Sequence, residues 1–310
     1  MSTKSYAIIG TGALGGFYGA RLQRAGLDVH FLLHSDYDHV RQHGLIIDSK
    51  DGDFVLPKVN TYRDTRDMPA CDIVVVALKT TQNHLLSALI PPVMKDNGVV
   101  LLMQNGLGGE EFVAGIVGDQ RTMCGLSFIC STKPGPGHIR HVDYGLVALS
   151  EVATTGVSDR MRAIAGDLGL AGVPTQLLDD YRVARWNKLV WNIPYNGLSV
   201  LLDAATDELQ RNPATRQLCE AIMREVVADA RACGVPVEEA IVEKMIDRTD
   251  TMTPYRTSMK QDFDERRPLE LEAIFGNPLR AAQQAGIRSP LVEALYRQLQ
   301  FLDARHRACK

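Results

Sequence analysis

No apolar run in this chain approaches the roughly 18 residues that a membrane-spanning helix needs; the longer ones, such as Ile73 to Leu78, stop far short. Net charge is also scarce. Thirty-four Lys and Arg stand against 37 Asp and Glu, a balance of −3, which leaves neither the basic surface that nucleic acid demands nor an acidic tail. The six cysteines (Cys71, Cys124, Cys130, Cys219, Cys233 and Cys309) are scattered, without a CxxC pair or a Cys/His spacing suited to zinc. They read as reduced, small apolar fillers, and no metal is expected. The first residues enter a strand pattern at Tyr6 without the long apolar stretch and small-residue cleavage site of a secretory signal. Neither an internal repeat nor a low-complexity tract is present. The expectation is a cytoplasmic protein with no nucleic-acid or membrane partner.

The 310 residues, 45% hydrophobic and 23% charged, are enough for about two globular domains. The first part alternates short apolar strands with helical patterns: strand Tyr6–Ile9, helix Ala13–Ala25, strand Val29–Leu33, and a helix Asp36–Gln42 capped by Ser35. A hairpin follows over Leu45–Val59 with its turn at Asp51-Gly52. Next come strand Ile73–Ala77, helix Thr81–Ile90, strand Val99–Met103 and a helix near Glu110–Val117. This alternation, with nearly continuous apolar strands, signals a parallel sheet covered on both faces. Met123–Cys130 and His138–Ser150, around the turn Lys133-Pro-Gly-Pro-Gly137, read as added antiparallel strands, and Thr175–Asp180 as a last strand. From Tyr181 on there are only helix-length segments, broken at Asn212-Pro213, Gly234-Val-Pro236, Thr253-Pro254 and Ser289-Pro290. The fold class is therefore α/β, a Rossmann-type doubly wound sheet over 1–179 followed by a smaller all-helical domain over 180–310. The apolar faces of its helices serve equally as core or as the surface of a homodimer.

Directly after the first strand comes Gly10-Thr11-Gly12-Ala13-Leu14-Gly15. In a strand–turn–helix context this GxGxxG run fits dinucleotide binding. One glycine makes the tight turn, one admits the pyrophosphate, one lets the helix pack on the strand, and the helix N-terminus faces the phosphates. At the end of the second strand, His34-Ser35-Asp36 is ambiguous. His34 and Ser35 suit a 2′-phosphate, whereas Asp36 suits a ribose hydroxyl or the cap of the next helix.

The boundary helix carries Lys188, Asn192 and Asn196 four residues apart, and so on one face. A polar outer face would read the same way. Carbonyl reduction, however, needs a donor for the charge that grows on oxygen as hydride arrives, and a partly desolvated lysine can supply it. Neutral amides can hold a substrate's carboxylate and hydroxyl groups. Pro194 between the asparagines is expected to bend the helix.

Six motifs in order resemble those of the ketopantoate reductase (2-dehydropantoate 2-reductase) family over nearly the whole chain. They are the Gly10–Gly15 loop, Ala77-Leu-Lys79-Thr-Thr-Gln82, Gln104-Asn105-Gly106-Leu-Gly108, and Trp186-x-Lys188-Leu-x-x-Asn192-x-x-x-Asn196, then Ser258-Met-x-Gln261-Asp262 and Pro268-Leu-Glu270-Leu-Glu272-x-x-x-Gly276. The resemblance implies NADPH-dependent reduction of a small 2-oxo acid, nominally 2-dehydropantoate to pantoate in pantothenate biosynthesis, with substrate bound between the two domains. It makes Lys188 the proton donor, and Glu270 a carboxylate that contacts the ligands and orients that lysine. Asn105, Asn192, Asn196 and Ser258 become substrate contacts. Gly10, Thr11, Gly12, Ala13, Leu14, Gly15, His34, Lys79, Asn105, Ser131 and Glu270 become cofactor contacts. Two positions depart from the family pattern. His34 replaces an arginine that binds the 2′-phosphate, which leaves NAD open beside NADP. Thr206 stands where the family often has an asparagine near the substrate, which leaves open a different 2-oxo acid. A protein that binds NADP without turnover is the non-catalytic alternative.

Overall fold

The computed structural model describes residues 4–308; Met1 to Thr3, Cys309 and Lys310 lie outside them. The chain divides into two compact units, one running to Gln104 and resuming at Gly109–Tyr181, the other comprising Asn105–Gly108 and Arg182 onward.

The first unit is a Rossmann-type α/β structure. In chain order it comprises β1 (Ser5–Ile9), α1 (Ala13–Arg24), β2 (Asp28–Leu32), α2 (Tyr37–His43), β3 (Leu45–Ser49), β4 (Phe54–Leu56), β5 (Asn60–Tyr62) and β6 (Cys71–Val76). Then follow α3 (Leu86–Leu89), β7 (Met94–Leu102), α4 (Gly109–Val117), β8 (Thr122–Gly135), β9 (His138–Glu151), α5 (Asp159–Leu170) and β10 (Thr175–Leu177). The strands form one mixed sheet in the order β4-β3-β9-β8-β7-β6-β1-β2-β5, with β10 beside β9. Pairing from β5 across to β8 is parallel. The β8–β9 and β3–β4 pairs are antiparallel, the latter matching the expected hairpin.

Alternation along the central strands explains their unbroken hydrophobicity. Tyr6, Ile8, Ile73, Val75, Val99 and Leu101 enter a core under α1 and α5. Their neighbours Ala7, Ile9, Val74, Val76, Val100 and Leu102 enter a second core with Leu86 and Val113. Three details differ from expectation. The segment read as a helix over 81–90 is mostly a 3-10 turn, Thr80–Leu85, before the short α3. The helix α5 and strand β5 are additions. Ser35 does not cap α2; its hydroxyl donates to Asp36 Oδ1 at 3.2 Å.

The second unit is helical: α6 (Tyr181–Leu201), α7 (Thr206–Arg211), α8 (Pro213–Ala232), α9 (Ala240–Thr251), α10 (Ser258–Asp264), α11 (Asn277–Gln284) and α12 (Pro290–Ala308). Pro213 opens α8, where the Asn212 side chain accepts from the N–H groups of Ala214 and Thr215. Helix α6 threads the core, with Trp186, Leu189, Val190, Ile193, Tyr195 and Leu198 packed among residues of α8, α9 and α12. It remains one continuous helix through Pro194. A π-helical turn over Glu272–Gly276 runs straight into α11. Pro278 has no N–H for an i→i−4 bond, and a widened turn just before it suits that loss.

Candidate active site

In the first unit the glycine loop leaves β1 and enters α1, and each glycine meets a different constraint. Gly10 has φ +101°, and a Cβ there would lie 2.5 Å from the backbone N of Leu78. At Gly15 a Cβ would lie 2.3 Å from Gly10 O and 3.0 Å from Ile8 Cγ2, so α1 can sit on its strand only with glycine there. Gly12, the N-cap of α1, has nothing within 4 Å of its Cβ position. That open approach, on a helix whose first turn carries no acidic residue, suits a pyrophosphate with N–H groups of Ala13, Leu14 and Gly15 aimed at it. Thr11 fastens the loop to the next strand, its hydroxyl donating to Leu32 O at 2.9 Å.

At the end of β2, His34 and Ser35 are exposed. Asp36 makes no side-chain cap bond to α2 and is buried among other partners. Its Oδ2 accepts from Gly137 N–H at 2.9 Å and pairs with Lys133 Nζ at 2.5 Å. Burial pushes the carboxyl up, but the bonds from Lys133, Gly137 and Ser35 outweigh it and hold the group below the usual carboxylate range. Lys79 follows β6, half-buried, at the start of the 3-10 turn and directly after the Ala77-Leu78 backbone on which Gly10 rests. Gln104, not singled out from the sequence, ties this end of the sheet together: its Nε2 donates to Leu78 O at 2.8 Å and to Asn83 Oδ1 at 2.7 Å. Ser131 is half-buried on β8, opposite His141.

In the second unit Lys188, Asn192 and Asn196 share a face of α6. Lys188 is half-buried, while Asn192 and Asn196 are 5% and 2% exposed. Trp186, Leu189, Val190, Ile193 and Leu198 of the same helix enter the hydrophobic core, and buried Arg185 and Ser199 add to its polar side chains. One turn on, buried Ser199 donates to Asn196 O at 3.1 Å and bonds Thr257 Oγ1 at 2.8 Å. Thr257 caps α10, so this bond sets Ser258, the first residue of α10, relative to the asparagine face. Ser199 and Thr257 were not legible as site residues; their importance lies in a contact between distant segments.

The tetrapeptide Asn105–Gly108 follows a strand of the first unit but is held by the second. Leu107 N–H donates to Ala273 O at 2.8 Å, and Asn277 Nδ2 donates to Leu107 O at 2.7 Å. Gly106 has φ +90°, and a Cβ there would lie 2.3 Å from Ala273 O. Asn105 directly precedes this clamped segment, and Glu270, 5% exposed, lies just ahead of the π-helical turn that holds it. Asn105 Oδ1 is buried without a hydrogen-bond partner among the described residues, which is costly unless a ligand supplies a donor. Thr206 clamps the loop ahead of α10. Fully buried, it accepts from Tyr255 N–H through its hydroxyl at 3.2 Å, and its own N–H donates to Tyr255 O at 3.1 Å.

Among the described residues no group of three or more His, Cys, Asp or Glu is placed to hold a metal ion. A glycine cradle on a parallel sheet, with a lysine–amide stripe and an orphaned amide oxygen on the helical unit, defines a dinucleotide-dependent oxidoreductase. Comparison with known proteins narrows that class. Residues 6–154 match the family model "Ketopantoate reductase PanE/ApbA", and 180–303 match its C-terminal counterpart. The chain belongs to the ketopantoate reductase family. It is 55% identical to a 2-dehydropantoate 2-reductase of Nostoc sp., over 99% of this chain and 98% of that one. A solved 2-dehydropantoate 2-reductase from Geobacter metallireducens is 40% identical, covering 97% of this chain and 99% of that one with a TM-score of 0.92. A D-mandelate dehydrogenase solved with NADH and anilino(oxo)acetate shares the fold at 21% identity, with a TM-score of 0.87 over 98% of this chain and 99% of that one.

Proposed function

We propose that the chain reduces 2-dehydropantoate to pantoate with NADPH, as the reductive step of pantothenate biosynthesis, and that Lys188 donates the proton. The observation that carries the assignment of roles is the stripe Lys188–Asn192–Asn196, a cation and two buried amides on one face of a helix that also packs Trp186, Leu189, Val190 and Ile193 into the core. NADPH, when bound at the Gly10–Gly15 loop, supplies hydride to the carbonyl carbon of the 2-oxo acid. Negative charge then grows on the carbonyl oxygen, and the ammonium of Lys188 stabilises it and hands over a proton, giving the 2-hydroxy acid. Asn192 and Asn196 fix the substrate by hydrogen bonds that add no charge, and Ser258 receives its carboxylate. Asn105 offers its unpartnered Oδ1 to a ligand donor, and Glu270 orients Lys188. Gly10, Thr11, Gly12, Ala13, Leu14, Gly15, His34, Lys79 and Ser131 hold the cofactor.

The five cysteines among the described residues are all free thiols, which supports a reducing, cytoplasmic setting. No helix among the described residues is long and apolar enough to cross a membrane. Its ligands are proposed to be small molecules, and sedimentation tests for a homodimer. Steady-state oxidation of NADPH and NADH across a panel of 2-oxo acids tests the substrate, with 2-dehydropantoate expected to give the highest kcat/KM. Lys188→Ala is expected to lower kcat by about 10²–10⁴ while NADPH still binds. Near-normal turnover in that variant removes Lys188 from the mechanism.

A further inference from the structure

We propose that Lys133 makes this chain select NADPH over NADH, filling the part that an arginine at position 34 would take. The proposal rests on the cofactor reading above and names the residue behind it. In Rossmann-type domains a carboxylate at the end of the second strand accepts from the ribose hydroxyls of NAD, whereas a cation there receives the 2′-phosphate of NADP. By sequence this chain has the carboxylate, Asp36, and a histidine where the cation would be.

The fold reverses that pattern. Asp36 is 7% exposed, and its carboxylate is committed to three donors. Oδ2 takes Lys133 Nζ at 2.5 Å and Gly137 N–H at 2.9 Å, and Oδ1 takes the Ser35 hydroxyl at 3.2 Å. A ribose diol would have to displace one of these bonds. A 2′-phosphate would suffer repulsion from Asp36 if the carboxylate were uncompensated, and Lys133 removes that obstacle. The lysine keeps 30% of its side chain exposed, and an ammonium with one N–H on Asp36 has two left. Its position is enforced by the tip of the β8–β9 hairpin, which closes over α1 and α2. A Cβ on Gly16 of α1 would lie 2.2 Å from Ile139 Cδ1, and one on Gly137 would lie 3.1 Å from His39 Cδ2. Arg63, a cation just after β5, is instead paired with Asp38 at 2.5 Å and lies over the Tyr37 ring at 4.5 Å.

Dissociation constants of NADPH and NADH, read from the fluorescence of the reduced cofactors without substrate, provide the test. Lys133→Met is expected to weaken NADPH at least about tenfold, the scale of one charge-assisted bond, while NADH changes little. Lys133→Arg should keep the preference. Asp36→Asn/Lys133→Met should recover part of the lost NADPH affinity, because the uncompensated carboxylate is gone. Unchanged NADPH binding in Lys133→Met, equal weakening of both cofactors, or a loss of preference in Arg63→Met instead overturns the proposal. A wild-type protein that binds neither cofactor sinks the cofactor reading itself, an outcome distinct from these.

Discussion

Asp229 lies on α8, 1% exposed, and accepts the Ser289 hydroxyl at 2.6 Å through Oδ1, while Oδ2 has no partner among the described residues. Burial, reinforced by the nearby Glu225 charge and only partly offset by Ser289, pushes its carboxyl up from 3.8 to about 6. That displacement corresponds to about 3 kcal/mol of preference for the protonated form in the folded state. The sign follows directly. Below about pH 3.8 folded and unfolded chains are both protonated here, and the group costs nothing. As pH rises toward about 6 the unfolded chain ionises first, so stability falls; above that the loss is complete and constant. Asn at this position resembles the protonated acid and still accepts from Ser289, so Asp229→Asn removes the penalty. The variant should match wild type near pH 4 and exceed it by about 3 kcal/mol at pH 7.5, on the order of 10 °C in unfolding midpoint. Both tryptophans, Trp186 and Trp191, sit on α6, so intrinsic fluorescence during thermal unfolding reports on the helical unit alone. A difference independent of pH, or one that shrinks as pH rises, would refute the reasoning.

Two glycines of the loop should separate folding from binding. At Gly12, whose φ of −88° is open to alanine and whose Cβ position is clear, Gly12→Ala should leave the melting profile nearly unchanged. It should nonetheless weaken NADPH by about tenfold or more in titration, equivalent to about 1.4 kcal/mol. Gly15→Ala drives a methyl into Gly10 O and should destabilise the α/β unit by about 1–3 kcal/mol or more; equal behaviour of the two variants would undo the distinction. Ser199→Ala removes the bond to Thr257 and should cost about 1–2 kcal/mol of helical-unit stability. By loosening Ser258 it should also raise KM for the oxo acid more than it lowers kcat, and a change confined to kcat would detach Ser199 from substrate positioning.

The central strands were legible because burial on both faces leaves a continuous apolar run, as in Ile73 to Val76. The stripe Lys188–Asn192–Asn196 was legible because helical spacing alone puts it on one face. Helix α5 was within reach and was missed: Ser158 accepts from Met161 N–H at 3.1 Å, and Met161, Ile164 and Leu168 form its buried face. Thr80–Leu85 has helical composition, yet it closes as a tight 3-10 turn between the ends of β6 and β7, where Asn83 bonds Gln104. The π-helical turn at Glu272–Gly276 is a matter of hydrogen-bond register, which side-chain periodicity does not record. Asp36 read as a ribose ligand or a cap because its partners, Lys133 and Gly137, come from a hairpin far along the chain. The bonds of Thr206 to the backbone of Tyr255 were not legible, because only the folded chain brings that segment to it.

The allegiance of Asn105–Gly108 has a consequence for how the molecule is made and how it can be dissected. Because these four residues are held by Ala273 and Asn277, the polypeptide passes between the units after Gln104, after Gly108 and after Tyr181, and no single cut frees one from the other. A fragment ending at Tyr181 would carry the glycine loop but leave Gly106 and Leu107 without Ala273 and Asn277. During synthesis the tetrapeptide leaves the ribosome long before its partners are translated, so that corner of the fold can lock only once Ala273 and Asn277 have emerged.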